Sequence, residues 1–380
     1  MIARTLRATA LLFGSALPLL AQGTLGSQGY GYANGEASAR SRGAAGAFSE
    51  FDATAPLNPA SMLQLGRSSI TLQYEPEFRT TRVPGNATST SVFRFPLFSA
   101  MIALGADSRG VVGLSASSLF DRTWAISDSA VQNIGGDTAT YRQLQSSRGG
   151  MSDVRLGFAW RFNDKIRAGL ALHAVVGSNQ VTSTRTFADS SKYVAANLSF
   201  DLRYWGKAVS FGAEWDPNER VSIAGSVRLG GPLGVSLADS SLVAAGRVPS
   251  RIGISARTDV AKGAQVTAAL TWNGWSAMRE MLSDPRATQD AWDVAVGVES
   301  TGPVTFGLPT AWRAGVSSRT LPFGVKDLGV REASVAAGLS FFLSQGRSIL
   351  DVALQRAHRS ASGGLSESAW TLSLGLTVLP

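Results

Sequence analysis

One periodicity dominates this chain. Near its C-terminus Trp370, Leu372, Leu374, Leu376 and Val378 alternate with Thr371, Ser373, Gly375 and Thr377, so every second side chain falls on the same face of an extended strand. Val154, Leu156, Phe158, Trp160 and Phe162 alternate in the same way with Arg155, Gly157, Ala159 and Arg161. Ile166, Ala168, Leu170 and Leu172 then alternate with Arg167, Gly169, Ala171 and His173, and the tight turn Asn163-Asp164-Lys165 joins the two segments. Val221 to Leu229 and Val266 to Trp272 repeat the pattern. Each segment has one greasy face and one polar or tiny face. Counting such segments predicts fourteen strands, near residues 68–79, 90–104, 109–124, 151–162, 165–180, 206–216, 219–229, 249–259, 263–275, 289–300, 309–319, 333–344, 347–359 and 367–379.

The connections sort themselves by length. Short turns follow the second, fourth, sixth, eighth and twelfth strands (GADSR, NDK, DPN, DVAK and SQ), whereas longer polar stretches follow the odd-numbered ones, the largest from Ala125 to Gly150 and from Val181 to Trp205. Short turns at one end and long loops at the other are the pattern of a bacterial outer-membrane barrel. A soluble sandwich has no reason to sort its loops, and a propeller would show a repeat of about 40 residues, which this chain lacks. The expected fold is therefore all-β, a 14-stranded antiparallel transmembrane β-barrel.

Composition agrees where it bears on this choice. After the first twenty or so residues no apolar run reaches the roughly 18 residues of a helical span, and mean hydropathy is +0.07. The 41 Gly, 9 Trp and only 16% charged residues suit a barrel whose lumen and turns use small residues and whose rims carry aromatic girdles. Trp160, Trp272, Trp292, Trp312 and Trp370 fall on outward faces and read as interfacial anchors against outer-membrane lipid.

The chain begins with Arg4 and Arg7, an apolar run from Ala10 to Leu20 broken by Pro18, and the small residue Ala21. This is the layout of a cleaved secretory signal peptide, residues 1–21. Loss of Arg4 and Arg7 lowers the formal net charge from +8 to +6. The remaining basic residues are dispersed, so no nucleic-acid footprint is expected. With 0 Cys, an exported chain has no disulfides, thiolate metal site or cysteine nucleophile.

Residues 22–66 lack alternation and are rich in Gly, Ala and Ser, which sets them apart from the barrel at 67–380. Within them Asn58 can cap a short helix that starts at Pro59, where the missing backbone donor would be orphaned anyway. The run ARSRGAAGAFSEFDATAPLNPASM, with Gly43 to Ala47, Asp52 and Asn58-Pro59-Ala60, resembles the N-terminal hatch of the FadL-type outer-membrane transporters. VPSRIGISARTDVAKGAQVTAALTWNGWSAM, with Pro249, Trp275 and Ser276, is similar to that family's strand hairpin, and WRAGVSSRTLPFG, GRSILDVALQRAHRS and SESAWTLSLGL are similar to FadL-like and PorV-like barrels. The resemblance implies a hatch or plug inside the lumen and passive uptake of hydrophobic or amphipathic small molecules such as long-chain fatty acids, which leave sideways through the wall. It also implies an inward kink of strand three beside the Asn-Pro-Ala turn, for which Gly110 and Gly113 are the candidates, since Gly inside a strand marks a bend or a close approach. The alternative implied by the PorV-like barrels is a docking subunit that binds secretion-machinery proteins.

No catalytic constellation or cofactor motif stands out. His173 and His358 have no metal-ligand spacing, and GYGYANG at Gly29 to Gly35 has neither the glycine spacing nor the preceding strand of a dinucleotide site. No metal, cofactor or enzymatic activity is expected; a lipid hydrolase would need a nucleophile and base on the lipid face, and His173 belongs to the polar one. Arg155, Arg161, Arg167, Arg228, Arg251 and Arg313 also share the polar face. Of these, Arg155, Arg167 and Arg228 are candidates to contact an anionic ligand by charge-assisted hydrogen bonds. Alternatively the inward arginines pair with Asp293, Glu299 or Asp351 as ordinary lumen packing.

Overall fold

A computed structural model describes residues 31–380, apart from 34–35, 84–85, 106, 239–240, 282–287, 326–327 and 362–365. The expected signal peptide and residues 22–30 of the expected hatch lie outside the described residues. Among the described residues seventeen strands form one antiparallel sheet. Three of them are accessory: β1 (Tyr32–Ala33), β5 (Trp124–Ile134) and β10 (Leu242–Arg247). The other fourteen make the wall: β2 (Ser69–Val83), β3 (Asn86–Leu104), β4 (Gly110–Asp121), β6 (Asp137–Arg161), β7 (Ile166–Phe187), β8 (Ala196–Trp215), β9 (Val221–Leu237), β11 (Ser250–Ala261), β12 (Ala264–Gly274), β13 (Ala291–Thr305), β14 (Leu308–Val325), β15 (Leu328–Leu343), β16 (Ser348–Ser360) and β17 (Ser366–Val378). Pairing of β9 with β11 and of β17 with β2 closes the ring. The barrel is the expected one, and each predicted segment falls on one wall strand.

The alternation becomes an inside and an outside. Leu156, Leu172, Ile252, Val316 and Val335 are each more than half exposed on the outer surface, while Arg155, Asp153, Glu332 and Arg359 are buried within. Trp160, Trp292, Trp312 and Trp370 face outward as expected, and Trp272 is half-buried. Among the described residues no helix is long and apolar enough to cross a membrane.

The expected long loops need correction. Most of Ala125 to Gly150 and Val181 to Trp205 is paired strand: β5 and β6 form a hairpin from Trp124↔Ser147 to Ile134↔Asp137, and β7 pairs with β8 as far as Arg185↔Ala196. These extensions carry no apolar stripe because both faces are wet, so backbone pairing holds them without a periodic sequence signal.

Residues 36–66 lie inside the ring. Ala39, Ala44, Ala47, Phe51, Ala60, Met62 and Leu63 are buried, and the segment touches opposing walls: helix α1 (Ala39–Arg42) meets β15 to β17, and the turn Pro59–Gln64 meets β6 to β8. Asn58 caps that turn as the sequence suggests, accepting from the Ala60 N–H at 3.0 Å, while its amide donates to the Glu50 and Ala213 carbonyls at 3.1 and 3.3 Å. Glycine lets backbone meet backbone on the far wall: a Cβ on Gly338 would come within 2.7 Å of Gly43 Cα, and one on Gly315 would overlap the Ala44 carbonyl.

Candidate functional site

The wall is incomplete in one place. β3 pairs with β4 only from Leu104↔Gly110 up to Leu97↔Ser117. Above that, residues 86–94 of β3 pair with β2 alone, and β4 continues on its other edge with β6. Pro96 stands where the pairing stops, and Pro has no N–H to donate to a ladder. It also coincides with a register shift between Gln73 and Glu75 in the β2 to β3 ladder. On the other side of the gap the β4 to β6 ladder is bulged between Ser118 and Phe120, just beyond the last β3 to β4 pair, and the chain leaves regular strand at Arg122-Thr123 before β5.

Gly110 and Gly113 are not at this bend. Both lie in the stretch of β4 that is paired on both edges, Gly110 opposite Leu104 and Trp160, Gly113 opposite Met101 and Gly157. Their small size serves close approach: a Cβ on Gly113 would come within 2.8 Å of the Met62 sulfur, and one on Gly110 within 3.0 Å of the Trp160 ring. Asn58, Pro59 and Ala60 pack under Gly169 and Gly212, against β7 and β8.

The gap opens on a cavity of about 820 Å³ lined by Val92, Phe93, Phe120, Trp124 and Met151, with Arg94, Asp121 and Arg148 as its charged members. Phe120 and Met151 also belong to an apolar cluster inside the barrel with Tyr204, Leu233, Trp275, Met278 and Met281. The turn Trp275–Met281 folds inward to supply that cluster, and the Trp275 ring meets Phe120 edge-on at 4.4 Å. A second cavity, of about 520 Å³, lies at the short-turn end and is lined by Arg40, Thr54, Gln64 and Leu65 of the interior segment together with Glu299, Arg313 and Asp351 of the wall.

Arg155, Arg167 and Arg228 all point inward, and each is already paired. Arg155 meets Asp153 at 3.0 Å and also Glu36; Arg228 meets Glu36 at 3.1 Å and Asp153 at 3.2 Å; Arg167 meets Glu214 at 2.9 Å and Asp216 at 2.6 Å. Burial pushes the Glu36 carboxyl up, but the Arg228 and Arg155 guanidiniums pull it further down, so its net shift is downward. Arg313 bridges Glu299 and Asp351, the lumen packing foreseen as the alternative. Arg155 and Arg228 lie 119 and 192 residues from Glu36, a juxtaposition no local pattern records.

Sequence reasoning also missed a Ser-His-Asp arrangement on adjacent strands. His173 Nε2 lies 2.8 Å from Ser210 Oγ and His173 Nδ1 lies 2.9 Å from Asp153, the order of a hydrolytic triad. Ser210 is 2% exposed, lines neither cavity described above, and Asp153 is shared with two guanidiniums, so the arrangement functions as a polar tie between β6, β7 and β8. Among the described residues no group of three or more His, Asp or Glu is placed to hold a metal ion.

No protein-family model and no curated protein matches this sequence. Solved structures do match its fold. A Pseudomonas aeruginosa FadL homologue aligns with a TM-score of 0.60 at 15% identity over 91% of this chain and 99% of that one. The CymD monoaromatic hydrocarbon channel aligns at 0.55 and 14% identity over 90% and 96%, and the Ralstonia pickettii toluene transporter TbuX at 0.52 and 13% identity over 91% and 99%. With its closed fourteen-strand ring, its enclosed N-terminal segment and these neighbours, the chain has the FadL-type barrel fold.

Proposed function

We propose that this protein is an outer-membrane channel for the passive uptake of hydrophobic small molecules. Residues 36–66 serve as its hatch and the opening between β3 and β4 as its lateral exit. The observation that carries this reading is the wall gap itself: an unpaired strand edge costs backbone hydrogen bonds in a bilayer, and here it is specified by Pro96 and the bulge after Ser118, beside a cavity of about 820 Å³. The structural neighbours named as hydrocarbon and toluene transporters support the same class of cargo.

Within that class, the state of Arg155, Arg167 and Arg228 favours uncharged compounds over long-chain fatty acids and leaves the exposed Arg148 of the cavity lining as the cation for a carboxylate to meet. A carboxylate needs a cation with donors to spare, and Arg155, Arg167 and Arg228 are each already shared between two carboxylates. The docking-subunit alternative shares the barrel but assigns no role to the gap. The test is uptake of radiolabelled toluene and radiolabelled oleate by cells that express the protein, against an empty-vector control. Faster toluene uptake is expected; equal rates for both probes with and without the protein reject the proposal. Oleate uptake that depends on Arg155, Arg167 and Arg228 would instead support the fatty-acid version.

A further inference from the structure

Two ties cross the gap. The first is an ion pair: Arg94 on β3 reaches Asp121 on β4 at 3.3 Å. The second is β1, whose backbone pairs with the edge of β4 that β3 has abandoned, Tyr32 opposite Asp121 and Ala33 opposite Phe120. The Tyr32 side chain crosses to the other side of the opening. Its hydroxyl donates to Glu367 on β17 at 2.8 Å, and its ring lies under the Arg79 guanidinium of β2 at 3.8 Å and near that of Arg359 on β16 at 4.8 Å. Asp121 is where the two ties meet.

The ties differ in how much their loss would strand. Arg94 also meets Glu75 at 3.1 Å and Glu77, both on β2 and therefore on its own side of the gap. Asp121 accepts from the Thr123 N–H at 2.9 Å on the other side. If the strands part, each group keeps partners, so no buried charge is left bare and the separation escapes the heavy penalty of breaking an isolated buried pair. Tyr32, by contrast, would lose a hydrogen bond and two cation-π contacts at once. One tie is built to release and the other to stay.

We propose that the Arg94–Asp121 pair is a reversible latch across the lateral opening, and that β1, clasped at Tyr32, is the fixed jamb against which it closes. This deepens the uptake reading and rests on it for the cargo, but not for the motion. The chain has 0 Cys, so an Arg94→Cys, Asp121→Cys variant carries only the two thiols needed. In lipid nanodiscs, hydrogen exchange at Val92 and Phe93, which pair with β2 alone, should quicken in this variant and in Asp121→Asn as β3 comes free of β4. A short bis-methanethiosulfonate cross-linker should return it to the wild-type rate, and reduction should free it again. Toluene uptake by cells should follow the same order, rising about fivefold when the latch is cut, as the loss of one contact of ordinary strength predicts, and falling below wild type when cross-linked. Heat-modifiable mobility on gels confirms that each barrel is folded, and Arg109→Gln, in the exposed turn pair with Asp107, should change neither readout. Exchange and uptake both indifferent to cutting and cross-linking would overturn the latch. Exchange that responds while no variant, nor the wild type, takes up toluene would uphold the latch and reject the uptake reading.

Discussion

The wall from β12 to β17 and the wall from β3 to β6 are made of the same kind of strand, yet one is sealed and the other is not. β12 and β13 pair over ten consecutive residues, and β15 with β16 over thirteen, without a register shift. β3 and β4 pair over eight and then separate. The sealed sector is also where the interior segment lies backbone against backbone, at Gly43 on Gly338 and Ala44 on Gly315. Both sectors carry ion pairs and a cavity, so what separates them is backbone pairing: the β3 to β4 ladder stops at Leu97↔Ser117 while every strand from β12 to β17 keeps both neighbours. A barrel can thus hold its contents firmly against one wall while leaving the opposite wall free to part.

The comparison is broken most severely by removing a charge that ties the sealed sector to β2. Arg359 reaches Glu77, Glu332 and Glu367 from one buried position. Arg359→Ala should cost about 3–5 kcal/mol in urea unfolding from lipid vesicles, because three carboxylates lose their common cation and Tyr32 loses one of its two guanidiniums. Next, Gly315→Ala should cost about 2–3 kcal/mol by forcing Ala44 off the sealed wall, and limited proteolysis should then release the interior segment sooner than in wild type. Asn58→Ala removes the cap of the Pro59–Gln64 turn and should cost about 1 kcal/mol in the same unfolding assay. Glu36 gives the pH arm. Because its folded carboxyl is lowered by Arg228 and Arg155, its contribution is complete above about pH 4 and is lost as pH falls through the depressed value. Pepsin cleavage within residues 37–66 should rise in acid for wild type by more than it does in Glu36→Gln, which lacks the titrating carboxyl. The gentlest change sharpens the contrast from the other side: Pro96→Val restores a backbone donor at the top of the β3 to β4 ladder, and slower hydrogen exchange there with little change in stability is expected.

How far these features can be read in the sequence depends on whether they leave a periodic trace. The fourteen wall strands do, because lipid on one side and a packed lumen on the other impose alternation on each of them. The extensions 137–147 and 182–187 do not, because water on both faces removes the contrast while the backbone still pairs. The sequence offers Gly110 and Gly113 in the third wall strand as the bend, whereas the pairing ends beside Pro96 on its neighbour. A proline inside an otherwise regular strand was a legible sign of a lost ladder partner. The inward direction of Arg155, Arg167 and Arg228 was legible as well. Their saturation was not, since Glu36 reaches Arg155 and Arg228 only after the chain has closed on itself.

That closure has a consequence for assembly. The ring is completed by β17, the last strand of the chain, zipping onto β2, which follows directly after the enclosed segment. Tyr32 and Glu367 then join the beginning of the described chain to its end. The seam and what it encloses therefore share residues: Gln73 of β2 accepts from the Ala39 N–H and Glu367 of β17 from the Tyr32 hydroxyl, so a fault in either is felt by the other.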